Sequence, residues 1–270
     1  MTQRIAILGA GVMGETLLSA ILGQGHPVAD LVISEKRDER AAELREAYGV
    51  EVTGNAEAVT GADTILIVVK PQDVPSLLTE ISSSVASGST VVSLAAGILI
   101  DTLESALPNG VAVVRAMPNT PALVGEGMFG ISGGSSCSAD QLAAVSALLE
   151  SGGKVVTVDE AQQDAVTGVS GSGPAYVFYL AEAMIAGGVE AGLDEATART
   201  LAAQTLVGAA KLLAESTETA EELRRRVTSP NGTTAAAIAT FDDRGVKDAL
   251  TAGVLAAAAR SAELSKPASA

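Results

Sequence analysis

The chain has little of what most enzymes use for chemistry or for gripping flat ligands. Its 270 residues include one cysteine, one histidine and no tryptophan, and aromatics amount to 2%. The single cysteine, Cys137, excludes an intrachain disulfide and a cysteine-rich zinc site, so no metal is expected. It reads as a small residue in a Gly/Ser loop. Scarce aromatics leave no stacking platform for bases or sugars. His26 precedes Pro27 in a short loop, so a dehydrogenase that relies on a histidine acid/base finds no suitable candidate here.

Positive charge is also short. Seventeen basic residues face thirty-two acidic ones, for a net charge of -15, which repels nucleic-acid phosphate and anionic membranes. An anionic substrate stays compatible with this balance, because local N–H groups and a few lysines outweigh a distant acidic surface once shielded from water. Although 47% of residues are hydrophobic, no apolar run is long enough to cross a bilayer. The amino terminus also lacks a basic stretch followed by an apolar one. The expectation is a cytoplasmic protein with neither nucleic acid nor membrane as partner.

What is present begins with a buried-strand pattern, Arg4-Ile5-Ala6-Ile7-Leu8, followed at once by Gly9-Ala10-Gly11-Val12-Met13-Gly14. Beyond it, Met13, Leu17, Leu18, Ile21 and Leu22 fall on one helical face. A Gly-x-Gly-x-x-Gly run is weak alone, but between a strand and a helix it is a dinucleotide-binding pattern. Gly9 makes the tight turn, Gly11 lets a pyrophosphate approach the backbone, and Gly14 lets the helix pack on the strand. A second strand, Leu31-Val32-Ile33, ends at Ser34-Glu35-Lys36-Arg37, where an acidic residue would hold the ribose in an NAD enzyme. Ser34, Lys36 and Arg37 suit a 2′-phosphate, so NADPH is the expected cofactor. Glu35 holding the free hydroxyls of NADH is the alternative, and a helix start with solvated charges is the reading without a ligand.

Alternation of strand and helix continues. Strands are expected over residues 50–52, 64–69, 90–94, 111–115, 125–132 and 155–158, helices near 37–48, 101–107 and 139–149. Ligands in such sheets lie beyond the carboxyl ends of strands. That places Asn55, the run Val69-Lys70-Pro71, and the small residues Ala95-Ala96-Gly97 beside the cofactor. A doubly wound α/β domain with right-handed crossovers accounts for residues 1–159.

From Glu160 no strand pattern recurs, and residues 160–270 read as helical. Helices are expected near 161–169, from Tyr176 past Met184, and over 198–213, 234–240 and 246–264, with the charged stretch 218–226 exposed. The tail from Ser265 is expected to fray. Residues 198–213 and 249–259 are apolar nearly all round, which a small helical set cannot bury alone, so two copies are expected to interleave as a homodimer. Val227-Thr228-Ser229-Pro230-Asn231-Gly232-Thr233-Thr234 is a turn feeding a helix. Its open N–H groups and three hydroxyls could receive a carboxylate, or could simply cap the helix.

With the glycine run, the chain resembles the pyrroline-5-carboxylate reductase family in Val69-Lys70-Pro71-Gln72, in Arg115-Ala116-Met117-Pro118-Asn119-Thr120-Pro121, in Ser170-Gly171-Ser172-Gly173-Pro174-Ala175-Tyr176, and above all in 227–234. The resemblance implies reduction of a cyclic imino acid to L-proline by NAD(P)H. It implies that Ser229, Gly232, Thr233 and Thr234 bind the substrate carboxylate and ring, with Thr234 nearest the ring nitrogen, that this loop comes from the partner subunit, and that dimers can build a ring. It also places Asn119 at the cofactor. Asn231 stands where many relatives have glycine, and since asparagine tolerates a left-handed conformation the turn is expected to survive. A protonated cyclic imine is already electrophilic, so a reductase of this kind needs no histidine. Two other readings remain: a 3-hydroxyacid dehydrogenase using Lys211 or Lys247 as base, and a dinucleotide-binding redox sensor without turnover.

Overall fold

In the computed structural model, which describes residues 3–265, the first part of the chain is one eight-stranded sheet in the order β3-β2-β1-β4-β5-β6-β7-β8. The strands are β1 (Ile5–Leu8), β2 (Leu31–Ser34), β3 (Glu51–Thr53), β4 (Thr64–Ile67), β5 (Thr90–Ser93), β6 (Ala112–Met117), β7 (Gly127–Gly133) and β8 (Gly153–Thr157). Strands β1 to β6 are parallel, with Ile5 opposite both Leu31 and Thr64. Their order is that of a nucleotide-binding sheet, whose ligand crevice opens where the winding reverses between β1 and β4.

Both faces of the sheet are buried, which is why its strands read as unbroken apolar runs rather than alternating ones. Ile5, Ile7, Ile33, Leu66, Val92 and Val114 point to one side. There they meet Leu17, Leu18 and Ile21 of α1 (Val12–Gly23), Leu44 of α2 (Asp38–Tyr48), and Val145 and Leu149 of α6 (Ala139–Leu149). Ala6, Leu8, Val32, Ile65, Ile67, Val91 and Val113 point to the other side. They meet Val59 of α3 (Asn55–Val59), Val74, Leu78 and Ile81 of α4 (Val74–Ile81), and Leu103 of α5 (Ile100–Ala106). Each of the valine, leucine and isoleucine side chains contributes about 1.5–3 kcal/mol by burial. The sheet thus fixes where the loops at its carboxyl edge must lie.

Strand β7 is antiparallel to β6, with Met117 opposite Gly130. The connection over residues 118–126 is too short for the helical crossover that a parallel neighbour needs, and Pro118 and Pro121 turn it back through a 3-10 segment, Thr120–Val124. Gln163 of α7 (Gln163–Val166) then closes on β7. Its amide nitrogen donates to the carbonyl of Gly130 at 3.1 Å and to Ser132 Oγ at 2.8 Å. A Cβ at Gly130 would lie 2.6 Å from Val166 Cγ1, so only glycine admits this helix.

Contacts divide the chain into two compact units, one running to Gly171 and including residues from Ala257 on, the other Ser172–Ala256. Where the sequence suggests one helix approaching a break, the chain forms α7 and then a π-turn over Thr167–Gly171 before Gly173 and Pro174 start the next helix. The second unit holds α8 (Gly173–Glu190), α9 (Glu195–Glu215), α10 (Ala220–Arg226), α11 (Thr233–Asp243) and the start of α12 (Val246–Leu264). Asp194 caps α9 by accepting from Thr197 N–H at 3.0 Å, and Thr219 caps α10 through Glu222 N–H at 3.2 Å. In this unit only Ala198 and Ala202 are fully buried among described hydrophobic residues, whereas Phe178, Tyr179 and Leu255 are 63, 72 and 64% exposed. The end of α12 belongs to the first unit, where Ser261 Oγ donates to Asp164 at 2.6 Å. Ser265 N–H still bonds the carbonyl of Ser261, and the rest of the expected frayed tail lies outside the described residues.

Candidate active site

The glycine turn sits at the crevice the sheet order creates. Gly9 N–H donates to the carbonyl of Ser34 at 3.0 Å, and Val68 N–H to that of Leu8 at 2.8 Å, so the turn is held between the ends of β2 and β4. Gly9 has φ +101, and a Cβ there would press on Val69 Cγ1 and the carbonyl of Val68. A Cβ at Gly14 would overlap the carbonyl oxygen of Gly9, which is the close helix–strand approach expected of the third glycine. Gly11 is different. Nothing lies within 4 Å of where its Cβ would be, and it caps α1 without a side-chain hydrogen bond. The first bond of that helix is Glu15 N–H to Gly11 O at 3.0 Å, so the N–H groups of Val12, Met13 and Gly14 have no acceptor within the helix. Open space over an uncapped helix start fits a pyrophosphate. Ala10, by contrast, is buried in the core.

A cleft of about 310 Å³ beside this turn is lined by Gly9, Ser34, Lys36, Arg37, Asn55 and Val69, together with Glu35, Asp73 and Leu77. Six residues singled out in the sequence therefore meet in one place. Their side chains are not all directed as the sequence suggests. Ser34 is 3% exposed, and its hydroxyl donates to Asn55 Oδ1, while Asn55 Nδ2 donates to Glu80 Oε2 at 2.8 Å. The Ser34 proton is thus committed inside the protein, and Asn55 opens α3, a helix not among those the sequence suggests. Glu35 Oε1 accepts from Arg37 N–H at 2.9 Å and Nε at 3.0 Å, and its Oε2 from Arg37 Nη2 at 3.1 Å. The Arg37 guanidinium holds the Glu35 carboxyl below the ordinary carboxylate range, against the opposing effect of burial.

Lys70 and Pro71 lie outside this cleft. Lys70 is exposed and precedes a 3-10 turn, Pro71–Asp73. Ala95, Ala96 and Gly97 follow β5, with Ala95 buried. Gly97 has φ +76, and a Cβ there would come within 3.3 Å of the Leu264 carbonyl, so its smallness admits the end of α12. Both ends of the Asn119 amide bond the backbone: Nδ2 donates to Ser170 O at 3.1 Å, and Oδ1 accepts from Met128 N–H at 2.8 Å. A buried ion pair missed by sequence reasoning lies on the neighbouring strand. Arg115, with its side chain 6% exposed, donates to Glu160 at 3.2 Å, and the same oxygen accepts Ile100 N–H at 2.8 Å. An arginine inside an apolar strand was its only signal.

In the second unit, Gly232 caps α11 without a side-chain bond. Gly232 N–H closes a turn onto Ser229 O at 3.0 Å, and Asn231 sits at φ +60, the only described non-glycine residue with positive φ. Asparagine therefore adopts the left-handed conformation here, and a Cβ at Gly232 would overlap Ser229 Oγ. Among the described residues, the hydroxyls of Ser229, Thr233 and Thr234 have no protein partner, whereas Thr228 Oγ1 donates back to Arg224 O at 2.6 Å. Three free hydroxyls and an open helix start leave donors for a carboxylate. Among the described residues, no group of three His, Cys, Asp or Glu could hold a metal ion, and no helix is long and apolar enough to cross a membrane.

Residues 160–264 match the family described as pyrroline-5-carboxylate reductase dimerisation, and residues 4–97 that described as NADP oxidoreductase coenzyme F420-dependent. A pyrroline-5-carboxylate reductase of Mycobacterium tuberculosis is 44% identical over 97% of this chain and 96% of its own length. The chain belongs to the pyrroline-5-carboxylate reductase family. Among solved structures, a pyrroline-5-carboxylate reductase of Coxiella burnetii superposes with a TM-score of 0.94 at 30% identity, covering 99% of this chain and 100% of the other. The Plasmodium falciparum pyrroline carboxylate reductase solved with NADP bound gives 0.86 at 26% identity, covering 98% of each chain. Within the pyrroline-5-carboxylate reductase family, then, the present chain pairs an NADP-oxidoreductase type of sheet with the family's helical dimerisation region.

Proposed function

We propose that this chain reduces 1-pyrroline-5-carboxylate to L-proline, the last step of proline biosynthesis, as a cytoplasmic NAD(P)H-dependent enzyme with NADPH preferred. The observation that carries the reading is the Ser229–Thr234 turn: three hydroxyls without a partner among the described residues, at an uncapped helix start. Such a turn suits a small anionic ring and offers no strong base. Family membership and the NADP-bound relative support the cofactor reading.

On this reading Gly9, Ala10, Gly11, Val12, Met13 and Gly14 form the turn that seats the pyrophosphate. Lys36 and Arg37 meet the adenosine ribose, Ser34 and Asn55 support that cleft from within, and Val69, Lys70, Pro71, Ala95, Ala96, Gly97 and Asn119 border the rest of the cofactor. A reduced nicotinamide bound there supplies the hydride. Ser229, Gly232 and Thr233 hold the substrate carboxylate, and Thr234 places its hydroxyl at the ring nitrogen, where it stabilises the protonated imine and then the amine. Residues 1–159 would serve the cofactor, and 160–270 the substrate and a second copy of the chain. The exposed apolar helices of the second unit, with Phe178, Tyr179 and Leu255 in the open, support a homodimer through that region, and assembly of dimers into a ring follows from the same reading.

NADPH oxidation in the presence of pyrroline-5-carboxylate, with detection of proline, tests the activity. Absence of turnover alongside retained NADPH binding would overturn it in favour of a sensor. Light scattering at low micromolar concentration tests the assembly, and a folded, active monomer would refute it.

A further inference from the structure

Of the two cations that line the cleft, Lys36 and Arg37, the arginine already has a partner. Arg37 gives its Nε and one Nη2 hydrogen to Glu35, at 3.0 and 3.1 Å, while Nη1 has no partner among the described residues. The exposures are unequal. The Glu35 side chain is 8% exposed at the cleft wall and that of Arg37 is 68% exposed at its mouth. The acid is therefore anchored and the guanidinium is the member free to move. Ser34 cannot offer a proton in its place, since that proton is given to Asn55.

Taking the cleft as the adenosine end of a dinucleotide site, on which this inference rests, we propose that Glu35 is a specificity-determining residue that competes with an adenosine 2′-phosphate for Arg37. A phosphorylated ribose draws the guanidinium from Glu35 and meets an uncovered carboxylate behind it. An unphosphorylated ribose leaves the ion pair intact. The phosphate monoester carries close to two negative charges and so wins the cation, but part of its advantage is lost to repulsion from Glu35. The pair thus moderates the preference for NADPH and keeps NADH usable.

A glutamine at this position keeps a carbonyl oxygen to accept from Arg37 Nε, so orientation of the guanidinium is largely retained while the negative charge is removed. Charge and positioning can therefore be separated. The probes are 2′,5′-ADP and 5′-AMP, titrated calorimetrically into the full-length protein at low and at high salt. Glu35→Gln should tighten 2′,5′-ADP by roughly three- to tenfold and leave 5′-AMP within about twofold. The gain should shrink as salt rises, which a packing effect would not do. Arg37→Gln should weaken 2′,5′-ADP alone. Should Glu35→Gln fail to fold, Glu35→Ser removes the same charge and carries the same expectation. Weaker 2′,5′-ADP binding in the Glu35 variants, or an equal shift for both ligands, would overturn the proposal. Wild-type protein that binds neither ligand would overturn the cleft assignment itself, and the proposal with it.

Discussion

The side-chain amide of Asn119 ties the π-turn to the sheet: Nδ2 donates to the carbonyl of Ser170 at 3.1 Å, while Oδ1 accepts from Met128 N–H at 2.8 Å. Two segments separated in sequence, the proline-bracketed turn after β6 and the Ser/Gly run before α8, are thereby held by one residue. A side chain with one donor and one acceptor end is required, since the two backbone groups are of opposite type.

Replacing it with alanine leaves one N–H and one C=O without partners in a partly buried place. Asn119→Ala is expected to lose about 2 kcal/mol of stability, and Asn119→Asp more, because an oxygen would then face the Ser170 carbonyl. Urea unfolding at a fixed protein concentration measures this, and unchanged midpoints would show that the bridge is dispensable.

Thr234 is expected to act only at the reacting ring. Thr234→Ala should lower kcat by an amount equivalent to ~2 kcal/mol or more, with NADPH binding unchanged. Steady-state kinetics together with a fluorescence titration of cofactor separate the two, and wild-type turnover in the variant would remove Thr234 from the mechanism.

At Gly14 the constraint is steric. A methyl group there would overlap the Gly9 carbonyl oxygen, backbone that cannot swing aside. Gly14→Ala should cost about 2–3 kcal/mol and weaken NADPH binding, because α1 and the turn must separate to admit it. By contrast Gly11→Ala meets no protein atom and should unfold at the wild-type denaturant concentration while binding pyrophosphate less well. Equal behaviour of the two variants would contradict this division.

Burial, and secondarily the Glu104 carboxylate, pushes the Cys137 thiol up from its ordinary pKa. A raised pKa means a smaller thiolate fraction at any given pH below it. Alkylation by iodoacetamide should therefore be slower at pH 8 than that of glutathione, and its rate should keep rising at pH values where glutathione has levelled off. A rate profile that levels off at lower pH than the free thiol's would show the opposite shift.

Much of the sheet was legible because strands buried on both faces must be apolar throughout. The runs beginning at Ile5, Leu31, Thr64 and Thr90 needed no tertiary information to be recognised. Helix α12, Val246–Leu264, matches the span its composition suggests. The reversal of β7 departs from the right-handed crossovers expected over residues 1–159: the connection over 118–126 is too short for one, and a strand pattern alone carries no direction. Side-chain commitments were the part that could not be read. Ser34 and Asn119 have the right chemistry to touch a ligand, yet the folded chain spends the Ser34 proton on Asn55 and both ends of the Asn119 amide on backbone.

The sequence by itself determined most of the strands and the longer helices, the glycine turn and the hydroxyl-rich turn, because periodicity and backbone freedom are local properties of the chain. Only the tertiary structure decided that Gly97 must admit the Leu264 carbonyl, that Arg115 is neutralised by Glu160, and that Arg37 lies against Glu35 at the cleft. A hydrogen bond or a close approach depends on which groups folding brings within about 3 Å, and that distance is set by the packed core rather than by spacing along the chain.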